Sequence, residues 1–516
     1  MIAAILGIAM VMVVAVAIVV WFDDPYTVEA WDEANPATAG RDLTVLPLLE
    51  RHACPFADEP FADGVECATL VVPANRSSPD GGGTVDLAVA IIPASGGVSA
   101  ADPILYLEGG PGGASVAWFD LWQTEGWPGD HDRDLILLDQ RGSGYSTPSL
   151  GCGEVWDAAV GDELEANRRC RDRVLAAGAE LAGVSTPEHA ADVADLRLAL
   201  GIEEWNLLGV SYGTRVALAV MDRYPEGVRS VVLDSVYPPE VDVLGDQGPA
   251  AVAAFDGLAS ACRRDAVCDA ANGDLWAQLA AAAAALDADP LERLGEEWDG
   301  ADLADALFFA LYDTMLIEEL PSIVSLAVTD PAAAFDALEG ADDGGSAGGA
   351  TRRGAMSLPR RGTVPAYEDS DGTFTVIECR EEYVGRDLTA AREQTATLPA
   401  PFDVSLLRQL EHTLATCKIW GVEAAPVAER RAVVSDIPTL LLAGGLDPVT
   451  PPWWAERAAE SLSGGHLVRF PSAGHALISA GACPVGLIEG FWSDPRAPIA
   501  TDCTSSFDTP AFRHGR

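Results

Sequence analysis

The chain has 516 residues, of which 79 are acidic and 32 basic, for a net charge of −47. A field of that sign repels phosphate backbones and excludes general nucleic-acid binding, leaving cationic ligands or a carboxylate-solubilised surface as compatible readings. A hydrophobic content of 49% with only 22% charged residues excludes wholesale disorder and supplies a sizeable core, enough for about three ordinary domains or one large α/β unit with an insertion.

Residues Met1–Phe22 are uncharged and almost wholly apolar. A helix of that length spans roughly 33 Å, enough for a bilayer core of roughly 30 Å. A cleavable signal normally has a basic start, a shorter apolar run and a small-x-small cleavage site. The run here ends in Trp21-Phe22-Asp23-Asp24, which favours an uncleaved membrane anchor over a cleaved signal. Residues 23–45 read as a tether. The ten cysteines fall into five near neighbours, Cys54/Cys67, Cys152/Cys170, Cys262/Cys268, Cys379/Cys417 and Cys483/Cys503. An even count in an exported chain reads as disulfides, although sequence alone does not fix connectivity. No C-x-x-C, H-E-x-x-H or clustered Cys/His spacing is present, so no metal site is expected.

Apolar, strand-like runs then appear between turn signals: Ala68–Val72, Val85–Ile92, Ile104–Leu107, Leu135–Leu138, Trp205–Val210, Val231–Leu233, Thr439–Ala443 and His466–Phe470. Thr186-Pro187 opens a helix that stops at Gly201, and another follows Ser211 to Tyr224 before Pro225. Buried strands alternating with helices predict a mostly parallel sheet covered on both faces, that is, an α/β fold. Between about Val236 and Ser435 the alternation gives way to helical patterns, including Leu275–Leu286 and Ala301–Leu320, with a Gly-, Asp- and Arg-rich loop at Ala341–Arg361. The expected organisation is therefore a first core part over 46–236, a large helical cap inserted between late strands over 237–435, and a second core part over 436–516. In α/β folds ligands bind at the carboxyl ends of parallel strands, so the cap is expected to cover that edge.

Chemistry concentrates in three places. Gly209-Val210-Ser211-Tyr212-Gly213 sits between an apolar strand and a helix, the setting in which a tight turn thrusts a serine hydroxyl out at the sheet edge. A serine nucleophile needs a base, and the base needs an orienting carboxylate. Asp447 follows the apolar run Thr439–Ala443, and His475 follows the next strand-like run. The chain order Ser, Asp, His is that of an α/β-hydrolase. His52, His131, His189, His412, His466 and His514 read as surface or structural. An oxyanion needs two donors. These are assigned to the backbone N–H of Tyr212 and to that of Gly110 in the loop Glu108-Gly109-Gly110-Pro111-Gly112, with Gly109 the competing choice. A phosphate-cradling role for that loop is disfavoured by the missing G-K-[ST] and the acidic chain.

Taken together, Glu108-Gly-Gly-Pro-Gly112, Asp139-Gln-Arg-Gly-Ser-Gly-Tyr-Ser146, Gly209–Gly213, Asp447 and Gly474-His475 resemble the tripeptidyl aminopeptidase and prolyl aminopeptidase group of α/β-hydrolases, over about residues 50–510. The large cap and the cysteines matching Cys379, Cys417, Cys483 and Cys503 favour the exported tripeptidyl branch. The resemblance implies a serine exopeptidase acting on peptides with a free amino terminus, without a cofactor. Many relatives carry His or Asn before G-G-P-G where this chain has Glu108. That carboxylate either points away, paired with backbone or an Arg, or serves the substrate's ammonium. Val376-Ile-Glu378-Cys379-Arg-Glu381-Glu382 resembles the segment in which an acidic residue follows the cap cysteine; Glu381 matches it, Glu382 is the alternative, and a solvated acidic run is the competing reading. Asp139 and Arg141 read as loop braces. A lipase or carboxylesterase would use the same triad, and a catalytically dead hydrolase-fold binding protein would use none of it. An epoxide or haloalkane hydrolase would need a carboxylate in place of Ser211.

Overall fold

The computed structural model describes residues 31, 46–56, 64–78, 82–95, 99–116, 132–156, 158, 161–293, 296–340 and 370–513. The anchor, the tether apart from Trp31, the 341–361 loop, His131 and His514 lie outside them. Among the described residues no helix is long and apolar enough to cross a membrane.

The strands, in chain order, are β1 (Leu48–His52), β2 (Glu66–Pro73), β3 (Thr84–Ile92), β4 (Ile104–Leu107), β5 (Leu135–Leu138), β6 (Trp205–Val210), β7 (Val228–Asp234), β8 (Leu291–Arg293), β9 (Glu296–Trp298), β10 (Thr439–Gly444) and β11 (Gly465–Phe470). Nine of them form one sheet in the order β1-β2-β3-β5-β4-β6-β7-β10-β11. From β5 to β11 every pairing is parallel, while β1, β2 and β3 are antiparallel. The small β8–β9 hairpin stands apart.

Strand alternation gives the sheet a core on each face. Leu105, Leu107, Trp205, Leu207, Leu441 and Ala443 enter one apolar cluster, whereas Ile104, Tyr106, Leu208, Val210, Leu440 and Leu442 enter the other. That is why these strands read as continuous apolar runs. Helices cover the sheet. The one at Thr186–Leu200 has Pro187 in its first turn and stops at Gly201, whose φ of 69° is left-handed. The one at Tyr212–Arg223 packs on β6.

Residues 235–438 carry helices at Val243–Arg264, Ala266–Asn272, Leu275–Ala288, Gly300–Ala310, Thr314–Ile317, Leu320–Thr329, Pro331–Gly340, Asp371–Glu378, Leu388–Thr395 and Phe402–Trp420. They build their own apolar centre around Phe255, Leu279, Leu307, Phe335 and Phe402. The expected continuous helix over Ala301–Leu320 is broken at Leu311–Asp313. The Asp313 side chain accepts from the Met315 N–H at 2.7 Å, capping a new turn, and the freed Tyr312 carbonyl accepts from the His475 N–H at 2.9 Å. All five cysteine pairs grouped by sequence proximity are disulfides, Cys54–Cys67, Cys152–Cys170, Cys262–Cys268, Cys379–Cys417 and Cys483–Cys503.

Candidate active site

Strands β6, β7, β10 and β11 end at one edge, and the residues picked from sequence lie just past those ends. Ser211 follows β6 with φ 55° and ψ −122°, an unfavourable backbone for a residue with a side chain. Two close approaches make the turn possible. A Cβ on Gly213 would lie 1.9 Å from the Leu107 carbonyl, and one on Gly209 would lie 2.5 Å from the Gly213 carbonyl. Only glycine fits either place, so the strained serine is held by the backbone packed around it.

Asp447 is buried, and each carboxylate oxygen is assigned. Oδ1 accepts from the N–H groups of Val449 and Thr450 at 2.9 and 2.8 Å. Oδ2 accepts from the Thr450 hydroxyl at 2.5 Å and lies 2.8 Å from His475 Nδ1. The Thr450 hydroxyl is itself 3.1 Å from Nδ1. Asp447 thus commits Nδ1 of the imidazole and leaves Nε2 as its second functional nitrogen.

The serine and histidine loops meet at Asp234, the last residue of β7. Its carbonyl accepts the Ser211 N–H at 2.9 Å, and its carboxylate accepts the N–H groups of Leu477 and Ile478 at 2.8 and 2.7 Å. Next to it Ser235 accepts the Ala476 N–H at 2.7 Å. Burial pushes the Asp234 carboxyl up to about 6 against these donors. From the inserted region, Tyr312 adds its carbonyl to the His475 N–H and sets its ring 5.0 Å from the imidazole, while the Thr314 hydroxyl accepts from the Gly474 N–H at 3.1 Å.

The glycine-rich loop lies against the nucleophile: a Cβ built on Gly109 would come within 3.0 Å of Ser211 Cβ and 3.6 Å of its hydroxyl. The Gly109 N–H donates to Glu108 Oε1 at 2.7 Å, and the Tyr106 hydroxyl donates to Oε2 at 3.0 Å. Glu108 is therefore turned onto its own loop. Burial, helped by the charge of Asp139, pushes its carboxyl up to about 7. Below the loop, Asp139 accepts from the N–H groups of Ser115, Val116 and Tyr145, and Arg141 pairs with Asp192 while donating to the carbonyls of Pro73, Ala74 and Gly183.

Tyr212 is fully buried, and its hydroxyl lies 2.9 Å from Thr186 Oγ1 and 3.2 Å from His189 Nδ1. Burial pushes His189 down to about 3, so that ring is neutral. Thr186 in turn donates its N–H and its hydroxyl to the two oxygens of Glu381, at 2.9 and 2.8 Å. Arg215 reaches Glu381 at 3.1 Å and Glu382 at 2.8 Å. Both glutamates are buried rather than solvated. They also share one cation, which removes Glu381 in particular from the set of unpartnered carboxylates. Sequence reasoning missed Thr450, Asp234, Ser235, Tyr312 and Arg215. The Asp447-Pro-Val-Thr450 spacing was the only one of these with a local signal, since a threonine three residues after an aspartate suits an Asx-type turn.

Comparison with known proteins agrees with this fold. Residues 102–283 match the family described as alpha/beta hydrolase fold, and residues 404–503 match the family described as TAP-like protein. The chain is 26% identical over 458 residues to the serine protease Hip1 of Mycobacterium tuberculosis, covering 81% of this chain and 83% of that one. It is 29% identical over 241 residues to the tripeptidyl aminopeptidase of Streptomyces lividans, covering 41% and 43%. Over 138 residues it is 29% identical to a proline iminopeptidase of Xylella fastidiosa, covering 26% and 32%. The chain is an α/β-hydrolase. Within that fold, its TAP-like match and its similarity to a serine protease and to aminopeptidases point to a serine peptidase.

Proposed function

We propose that this chain is an exported serine exopeptidase, releasing short peptides or single residues from the free amino terminus of peptides through a Ser211–His475–Asp447 acyl-enzyme. The observation that carries the proposal is the 2.8 Å contact of His475 Nδ1 with Asp447, on loops tied through Asp234 to a strained Ser211. Peptide substrates enter here because the named relatives are a serine protease and aminopeptidases.

His475 Nε2 takes the Ser211 proton as the hydroxyl attacks the scissile carbonyl. Asp447 holds the ring and stabilises its cationic form, and the proton then passes to the departing amine. Tyr212 N–H and Gly110 N–H receive the developing oxyanion. Gly110 is preferred to Gly109 because the Gly109 N–H is spent on Glu108. Water attacks the acyl-enzyme with the same histidine as base. The segment 237–435 forms a roof over this edge and bounds the space available to substrate. Five disulfides support an oxidising compartment, with residues 1–22 as a membrane anchor or a signal segment.

The test has two arms. Ser211→Ala should lower hydrolysis of tripeptidyl amides by several orders of magnitude and abolish fluorophosphonate labelling while the thermal midpoint stays in place. Peptide ladders with free and acetylated amino termini should be cut only when free. Unchanged turnover in the alanine variant ends the triad assignment, and equal cleavage of both ladders ends the exopeptidase assignment.

A further inference from the structure

Two backbone amides of the glycine-rich loop, at Gly109 and Gly110, stand as candidates for the oxyanion. The loop's first residue, Glu108, follows β4 directly. Among the described residues its carboxylate makes no ion pair. It is held by two donors instead, the Gly109 N–H on Oε1 at 2.7 Å and the Tyr106 hydroxyl on Oε2 at 3.0 Å. Tyr106 is buried in the sheet. One donor therefore belongs to the strand and the other to the loop, and the carboxylate bridges them.

The loop is also folded around this side chain. A Cβ on Gly113 would lie 2.6 Å from Glu108 Cγ, so the stem of the glutamate occupies the room that a side chain there would need. The Gly113 N–H closes the turn on the Gly109 carbonyl at 3.2 Å. The Glu108 carbonyl is fixed from outside by the Gln140 side-chain amide at 2.9 Å. That carbonyl also lies 3.0 Å from where a Cβ on Gly213 would stand, against the first turn of the nucleophile's helix. Gly110, next along, is exposed with φ 106°, and among the described residues its N–H donates to no group. An N–H carries one proton, so an amide bonded to a carboxylate serves an oxyanion only by leaving it. The Gly109 amide is spent in this way and the Gly110 amide is free.

Resting on the serine-nucleophile reading, we infer that Glu108 is a positioning residue of the oxyanion loop. By taking the Gly109 N–H and the Tyr106 hydroxyl, it sets the loop on the strand and leaves the Gly110 N–H as the donor presented beside Ser211. The donor is then in place before charge develops on the scissile oxygen, which is the condition for electrostatic stabilisation of a transition state. Glu108 itself touches neither substrate nor the reacting atoms.

The experiment measures kcat and KM of the full chain on one free tripeptidyl aminomethylcoumarin, the inhibition constant of the matching tripeptide aldehyde, whose adduct with Ser211 places an oxygen at the oxyanion position, and the thermal midpoint. Glu108→Leu keeps the bulk and loses both acceptors. It should lower kcat by about 100-fold and weaken the aldehyde about as much, with KM changed less than about threefold, because only the tetrahedral species uses the donor. Glu108→Gln can accept the Gly109 N–H through its amide oxygen while its NH2 donates to the Tyr106 hydroxyl, and it should keep kcat within about threefold. If Glu108→Leu does not melt cooperatively, Tyr106→Phe is the test; it removes the strand-side donor alone and should lower kcat severalfold at an unchanged KM. A wild-type kcat in folded Glu108→Leu, or in Tyr106→Phe where that stands in, overturns the assignment. So does a loss in Glu108→Gln equal to that in Glu108→Leu, or a loss carried wholly by KM. A wild-type enzyme that the aldehyde does not inhibit refutes the serine-nucleophile reading itself and removes the ground for this one.

Discussion

Replacing Asp447 by Asn tests the proposed relay with almost no change of shape. Oδ1 accepts two backbone N–H groups, from Val449 and Thr450. An amide NH2 cannot face those donors, so the amide oxygen must take their side and the NH2 group must take the place of Oδ2. There it points at His475 Nδ1, now 2.8 Å from the carboxylate. A donor at that place forces Nδ1 to accept, which moves the ring proton to Nε2, the nitrogen needed to receive the Ser211 proton. The Thr450 hydroxyl, 3.1 Å from Nδ1, can accept from Nδ1–H but carries no charge to stabilise the imidazolium, so it does not replace the carboxylate. The wrong tautomer in a serine triad costs about 10⁴ in kcat, equivalent to about 5 kcal/mol of transition-state stabilisation. The backbone contacts of Oδ1 persist, so folding should not change. The assay is kcat/KM on a free tripeptidyl amide, with a thermal melt as the control. Activity within tenfold of wild type, at an unchanged melt, would refute the relay as drawn.

Thr450→Val deletes one donor to Asp447 Oδ2 and keeps the histidine contact; a hydrogen bond to a charged group is worth about 1.5–3 kcal/mol, so kcat/KM should fall by about 10- to 100-fold, and wild-type kinetics would exclude a positioning role. Gly474→Ala places a Cβ 2.3 Å from the Leu311 carbonyl and 2.6 Å from that of Tyr312, both backbone. The expected cost is about 1–3 kcal/mol in a thermal melt, with a larger loss in kcat/KM because the displaced loop carries His475, and normal kinetics would show that the loop has room. Glu108 binds a proton more tightly folded, at about 7, than unfolded, near 4.5. Its contribution to stability is complete below the unfolded value and is lost as pH rises through the folded one. Glu108→Gln should therefore lose less stability between pH 5 and pH 8 than wild type, by on the order of 2–3 kcal/mol, in urea melts at stepped pH; equal slopes refute this, and a constant offset from the altered hydrogen bonds does not affect the slope.

Much of the scaffold was legible because its physics is local. The eight runs are strands, and the central ones are apolar throughout because they are buried on both faces; the capping of Thr186–Leu200 by Pro187 and Gly201 is chemistry within one helix. What escaped reading depended on partners far along the chain. β1 alternates weakly, with Glu50, Arg51 and His52 on a half-exposed edge, and it is a strand because β2 offers it a ladder. The helix read through Ala301–Leu320 is interrupted at Leu311–Asp313, where the Tyr312 carbonyl accepts from the His475 N–H, a partner far along the chain. The acidic segment after Cys379 was visible, yet its division of labour was not. Glu378, Glu381 and Glu382 have the spacing of one helical face, and only the fold reveals that Arg215, from the helix after the nucleophile, takes two of them.

These long-range ties explain how an edge built of loops can hold a geometry that catalysis requires. Loops ordinarily move more than the strands they leave. Here each chemical loop is tied down by hydrogen bonds: Ser211 and the His475 loop to Asp234, the His475 loop again to Tyr312 and Thr314, the Asp447 turn within itself to Thr450, and the glycine-rich loop within itself to Glu108 and outward to Ser370. Three of these fastenings, at Tyr312, Thr314 and Ser370, come from the inserted region. Free movement of the inserted region would release the His475 N–H and the Gly112 carbonyl together, so it is fixed to both loops by their backbone hydrogen bonds.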